Sequence, residues 1–158
     1  AIEFEIPGRV INVASSAHFG AKLKLNDIQM KKKYKGWTAY CNSKLMNILF
    51  TYEVHKRYKD TGISFNSLHP GFVDTSFGDN NRGLGKNILS IGKKLIAINV
   101  FKGAKTSVYL ASSDEVENVS GKFFDKSKAV KSSEISYSDS NQHKLWSYSE
   151  NIINDLCS

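Results

Sequence analysis

Arg9-Val10-Ile11-Asn12-Val13-Ala14, closed by Ser15-Ser16, is a short run of largely β-branched apolar residues, such as a buried parallel strand uses. A polar stretch over about residues 17–36 follows it. Next, a segment over about residues 38–57 sets Leu45, Ile48, Leu49, Tyr52 and Val54 at helical spacing, and Asp60-Thr61-Gly62 stops it. Ile63-Ser64-Phe65-Asn66-Ser67-Leu68 reads as a second strand, ended by Pro70-Gly71. Strand, crossover helix and strand in this order predict a right-handed βαβ unit.

Further along, the chain bends through a Gly/Asn-rich stretch, residues 78–85, before apolar helices over about 86–100 and 102–112. Gly121-Lys122-Phe123-Phe124-Asp125 is a last predicted strand, and an amphipathic helix spans about residues 141–156. The expected class is α/β: the C-terminal half of a doubly wound parallel, Rossmann-type sheet, about three strands with flanking helices. The strand over residues 9–14 would then have one edge left unpaired by this stretch of chain.

The 158 residues suffice for one domain with a real core. No stretch approaches the roughly 20 apolar residues that span a bilayer. Cys41 and Cys157 make neither a disulfide framework nor a metal-ligand spacing, as expected in a reducing compartment. The chain starts without methionine or a signal-peptide pattern, and reads as the C-terminal portion of a larger protein. The formal charge of +7 is spread along the sequence, and Lys31-Lys32-Lys33 with Lys35 is its one dense run. Without regular alternation with aromatic residues, that run does not read as a nucleic-acid platform. Solubility or attraction to an anionic membrane surface accounts for it equally well.

Chemistry concentrates at Tyr40-Cys41-Asn42-Ser43-Lys44, where a phenol and an ammonium lie one helical turn apart on one face. A free phenol titrates near pKa ~10, and moving such a group to ~7 takes roughly 4 kcal/mol of preferential stabilisation of the phenolate. A neighbouring cation, with burial, is the kind of partner that contributes it. Spacing alone is weak, because Tyr52-Glu53-Val54-His55-Lys56 repeats it. The second pair lies roughly 18 Å further along the helix and about 120° round it. It falls in a charged terminal turn and reads as a solvated face. Only the first pair stands near a helix start, where a sheet's carboxyl edge would meet it.

Asn12-Val13-Ala14-Ser15-Ser16-Ala17-His18, Tyr40-x-x-x-Lys44 and His69-Pro70-Gly71-Phe72-Val73-Asp74-Thr75, in this order, resemble the short-chain dehydrogenase/reductase superfamily. The likeness is to its retinol-dehydrogenase and WW-domain-oxidoreductase branch, and Lys102-Gly103-Ala104-Lys105-Thr106-Ser107 and Ser120-Gly121-Lys122-Phe123-Phe124-Asp125 share it. The resemblance implies that residues 1–158 are the C-terminal part of one NAD(P)-binding domain. Tyr40 would be the catalytic acid/base, and Lys44 would support its phenolate and hydrogen-bond the nicotinamide ribose. Ser15 would hold the substrate oxygen, with Ser16, one residue out of register, ranked second. Pro70, Gly71, Val73 and Thr75 would form the loop packed on the nicotinamide.

Implied with these are NADP or NAD as cofactor and hydride transfer between an alcohol and a carbonyl. The substrate would be a lipophilic small molecule such as a retinoid, steroid or aldehyde. Nucleic acid is not an expected partner; membrane-surface association and a homodimer are compatible with the reading. The implied location is cytoplasmic or endoplasmic-reticulum-associated, any anchor lying upstream. Leu84, Ile88, Leu89, Ile91, Leu95, Ile96 and Ile98 are placed to form either core or a lid over an apolar substrate. His18 and His69 lack a second ligand at metal spacing; His18 is expected to make loop hydrogen bonds and His69 to sit beneath the Pro70 turn.

The departures are specific. The family's phosphate loop, Thr-Gly-x-x-x-Gly-x-Gly, does not occur in these residues, nor does its Asn-Asn-Ala-Gly segment or its helix asparagine. Phosphate binding at that first helix supplies much of the hold on a dinucleotide. These residues alone are therefore expected to bind cofactor poorly and turn over nothing. The alternative is a catalytically inactive member acting as a binding or scaffolding module.

Overall fold

The computed structural model describes residues 8–71 and 100–157. Its elements run β1 (Arg9–Val13), α1 (Gly36–Arg57), β2 (Ser64–His69), α2 (Val100–Ser112), β3 (Lys122–Asp125), β4 (Lys128–Val130) and α3 (Asp139–Cys157). The four strands form one sheet in the order β1-β2-β3-β4. β1, β2 and β3 are parallel, with Val13 opposite Leu68 and Leu68 opposite Phe124. Among the described residues β1 pairs on one side only, with β2.

Successive residues of a strand face opposite sides of a sheet, and here both sides are covered. Phe123 turns to α1, joining Ala14, Ile48 and Tyr52. Phe124 turns the other way and packs with Leu68, Leu110 of α2 and Val116. β2, central and covered on both faces, is buried at every residue. A third cluster, Leu45 and Leu49 with Leu145, fastens α3 and the segment around Ala21, Leu23 and Ile28 to the outer side of α1. Arg9 ties the sheet to the far end of α2, donating from Nη1 to the Leu110 and Ser113 carbonyls at 3.1 and 2.8 Å. Leu110 lies in the last turn of the helix, where carbonyls run out of intrahelical donors.

Two features depart from expectation. The sheet has a fourth strand, antiparallel β4, joined to β3 by the two-residue turn Lys126-Ser127 with φ of 49° and 60°. The polar stretch before α1 is also folded, with short 3-10 turns at Ser16–Gly20 and Leu25–Asp27. Of the expected helix over residues 86–100, all but the last residue lies outside the described residues, as does the apolar stripe over 84–98.

Candidate active site

The parallel register fixes where the site residues emerge. Val13 and Leu68 are opposite each other, and the Ala14 N–H donates to the Leu68 carbonyl at 2.8 Å. Ser15 and Pro70, each two residues further on, therefore leave the same carboxyl edge of the sheet. Pro70 and Gly71 are half-buried there. Gly71 has φ of 85°, a conformation that glycine adopts without the Cβ penalty. Val73 and Thr75 lie outside the described residues.

α1 crosses the end of β1 and delivers Tyr40 and Lys44 to this edge. The Lys44 ammonium donates to the Val13 carbonyl at 3.3 Å and stands 5.7 Å from the centre of the Tyr40 ring. Asn47, one turn on, donates from Nδ2 to the same carbonyl at 3.1 Å. The last carbonyl of β1 thus anchors the cation, and Ser15 follows it by two residues. Trp37, one turn before Tyr40, places its ring centre 5.7 Å from the phenol ring and is largely exposed.

Ser15 is extended (φ −166°) and caps the turn Ser16–Gly20, its Oγ accepting from the Ala17 N–H at 3.2 Å. That bond uses a lone pair and leaves the hydroxyl proton free for another acceptor. Ser15 is held further by His18, which is buried against Phe19 and Phe123. The Ser133 N–H donates to His18 Nε2 at 3.0 Å, so Nδ1 carries the hydrogen and donates it to the Ser15 carbonyl at 2.6 Å. Burial holds the His18 imidazole below its ordinary range, against the Ser15 carbonyl, which pulls the other way. Burial also lowers His69 at the end of β2. The loop hydrogen bonds expected of His18 are present.

The second tyrosine–lysine pair lies in a different setting. Tyr52 is not on a solvated face; it is buried in the core with its hydroxyl 2.7 Å from Ser132 Oγ. Burial drives that phenol well above its ordinary range, so it stays protonated. Lys56 turns away to Asp139 and to Gln142 Oε1. The residues that sequence reading missed are Asn47 and the chain Asn12–Thr51–Asn47. In it Asn12 Nδ2 donates to Thr51 Oγ1 at 2.9 Å, and Thr51 donates to the Asn47 carbonyl at 2.7 Å. The signal for Asn47 was available, since it stands three residues after Lys44 on the same face of α1.

Comparisons with known proteins bear on the family and the fold. The family model described as short chain dehydrogenase matches residues 4–83. Human retinol dehydrogenase 12 is 33% identical over 155 residues, covering 96% of this chain and 48% of that protein. The WW domain-containing oxidoreductase of Drosophila melanogaster is 32% identical over 159 residues, covering 97% of this chain and 39% of that protein. The chain thus spans about half the length, or less, of these curated relatives. Among solved structures, an uncharacterised protein from Mycobacterium paratuberculosis superposes with a TM-score of 0.68 at 26% identity, covering 91% of this chain and 49% of that one. The NADPH-bound carbonyl reductase from chicken fatty liver shares the fold, with a TM-score of 0.50 at 21% identity over 79% of this chain and 42% of that one. No described helix is long and apolar enough to cross a membrane.

Proposed function

Because the chain belongs to the short-chain dehydrogenase family, we propose that it is the catalytic part of an oxidoreductase interconverting an alcohol and a carbonyl. The observation that carries the reading is Lys44, fixed by the Val13 carbonyl 5.7 Å from the Tyr40 ring at the sheet edge that Ser15 and Pro70 leave together. The relatives named retinol dehydrogenase favour a lipophilic substrate such as a retinoid, steroid or aldehyde.

A nicotinamide dinucleotide, NADP or NAD, fits the residues present in part. The Lys44 cation and the Pro70-Gly71 turn would hold its nicotinamide end, while these residues carry no glycine-rich turn for its phosphates. When bound, it supplies or accepts the hydride. The chain's own groups handle charge and protons. In reduction, negative charge grows on the substrate oxygen; the Ser15 hydroxyl donates a hydrogen bond to it and Tyr40 gives it a proton. Lys44 stabilises the phenolate that remains. In oxidation Tyr40 takes the proton back.

Two measurements test this. In a form of the protein carrying a dinucleotide-binding half, deuterium at the nicotinamide C4 should appear on the carbinol carbon of the product; wash-out to solvent would end the hydride reading. These 158 residues by themselves should bind dinucleotide weakly and turn over nothing. Micromolar affinity in a titration would contradict the weak hold expected without a phosphate loop.

A further inference from the structure

Lys22, Lys24, Lys32, Lys33 and Lys35 line one cavity of about 330 Å³ with Thr38 and Asn42. In sequence they form two groups, and only the second stood out as a basic run. Folding brings them together on the side of α1 away from the redox residues. Thr38 and Asn42 each stand two positions from Tyr40, about 200° round the helix.

The walls are fixed by named contacts. Asn42, buried in α1, accepts the Lys22 N–H on Oδ1 at 2.8 Å and reaches Met30 Sδ with Nδ2 at 3.9 Å. Met30 itself has φ of 52°, which turns the chain back. Among the described residues Asp27 is the one carboxylate lining the cavity, and its oxygens accept the Lys31 and Lys32 N–H groups at 2.8 and 3.3 Å. Among the described residues none of the five lysines is ion-paired. Five ammoniums against one carboxylate leave a formal +4 on a small concave surface, where the field is focused rather than dispersed.

We propose that this cavity is a binding site for a compact phosphate-bearing anion with two or more negative charges. Lysine ammoniums are point-charge donors suited to phosphate oxygens, and a multivalent anion relieves their mutual repulsion. The volume lies at the small end of ligand pockets and suits a diphosphate-sized group. Exposed Tyr34 and Trp37 lie nearby in sequence but do not line the cavity, which therefore offers charge without a platform for stacked bases. The site is independent of the oxidoreductase reading. A free diphosphate and a phosphorylated lipid headgroup share the required chemistry.

The test is a titration of sodium pyrophosphate into the nitrogen-15-labelled chain at about 50 mM salt, low enough to keep surface charge effective. Saturable shifts are expected at the amides of Lys22, Lys24, Thr38 and Asn42. The double change Lys22→Gln with Lys33→Gln should weaken binding at least tenfold. Lys102→Gln with Lys105→Gln, the same loss of charge on α2, should change it less than twofold. No saturable shifts, or equal weakening by the two doubles, would overturn the site in favour of a diffuse surface field. Sedimentation with phosphatidylcholine vesicles carrying a phosphoinositide bisphosphate separates the sources. Capture that pyrophosphate displaces assigns the headgroup to this cavity, and absence of capture assigns a soluble anion. Capture that pyrophosphate leaves intact overturns the assignment.

Discussion

Tyr40–Lys44 and Tyr52–Lys56 have identical spacing, share one helix and differ in nearly everything else. The first pair is half-buried at the carboxyl edge of the sheet, its lysine held by the Val13 carbonyl beside the phenol ring. In the second, the tyrosine is sealed in the core against Ser132, while the lysine leaves for Asp139 and Gln142. A repeated motif thus gives one pair at the sheet edge, proposed to move a proton, and one that fastens α1 to α3. Spacing brings two side chains to the same face; what covers that face decides whether a proton can move.

The comparison can be broken most sharply at the lysines. If the proposed function holds, Lys44→Met should lower turnover, in a form carrying a dinucleotide-binding half, by about a hundredfold or more, the scale of a lost acid/base partner. Lys56→Met should leave turnover unchanged and cost about 1–2 kcal/mol, little of it from the largely exposed pair with Asp139 and most of it from buried Gln142 Oε1 losing its donor. Steady-state kinetics and thermal melts of both variants check this, and equal effects would erase the distinction.

The structural end of α1 has a second lock, outside the motif. Gly121 has φ of 69°, and a Cβ there would press into the ring of His55, whose Nδ1 lies 2.8 Å from Ser120 Oγ. Gly121→Ala should therefore destabilise the fold by about 3 kcal/mol, from backbone strain and overpacking together. Urea unfolding measures it; a loss under about 1 kcal/mol would mean that the helix end yields easily. Tyr52→Phe should cost roughly 1 kcal/mol, the worth of one buried hydrogen bond. Since Ser132 keeps Ser136 as a partner, little more is expected.

The smallest effect is a pH dependence. His18, His55 and His69 are all held below the ordinary value of 6.5, burial being the largest cause in each. The unfolded chain then takes up protons first as pH falls. Their stabilisation is present above about 6.5 and is lost on acidification through the lower folded-state values. The melting temperature should drop by a few degrees between about pH 7 and pH 5, and His18→Gln should flatten that slope. A melting temperature that rises on acidification would contradict this dependence.

Much of this was readable before any coordinates. The apolar runs gave β1 and β2 to within a residue or two; β2 is buried throughout, as a strand covered on both faces is, whereas Val10 and Val13 of β1 are exposed. β4 escaped because its three residues are exposed and its turn is Lys126-Ser127, without the Asn-Gly signature that usually marks two positive φ angles. Tyr52 was misjudged since a charged sequence neighbourhood hid the packing of α3 and the Ser132–Tyr137 segment over it. The basic cavity was invisible for a similar reason: Lys22 and Lys24 reach the later lysines only through the fold-back at Met30 and Asn42. Local pattern shows which residues can act; long-range packing shows which of them meet.

The most direct trial compares Tyr40→Phe with Tyr52→Phe in a form of the protein carrying a dinucleotide-binding half, following single-turnover reduction of an aldehyde by nicotinamide absorbance. The account predicts a loss of at least about a hundredfold for Tyr40→Phe with dinucleotide affinity nearly unchanged, and a near-native rate for Tyr52→Phe. Comparable rates in the two variants would contradict it.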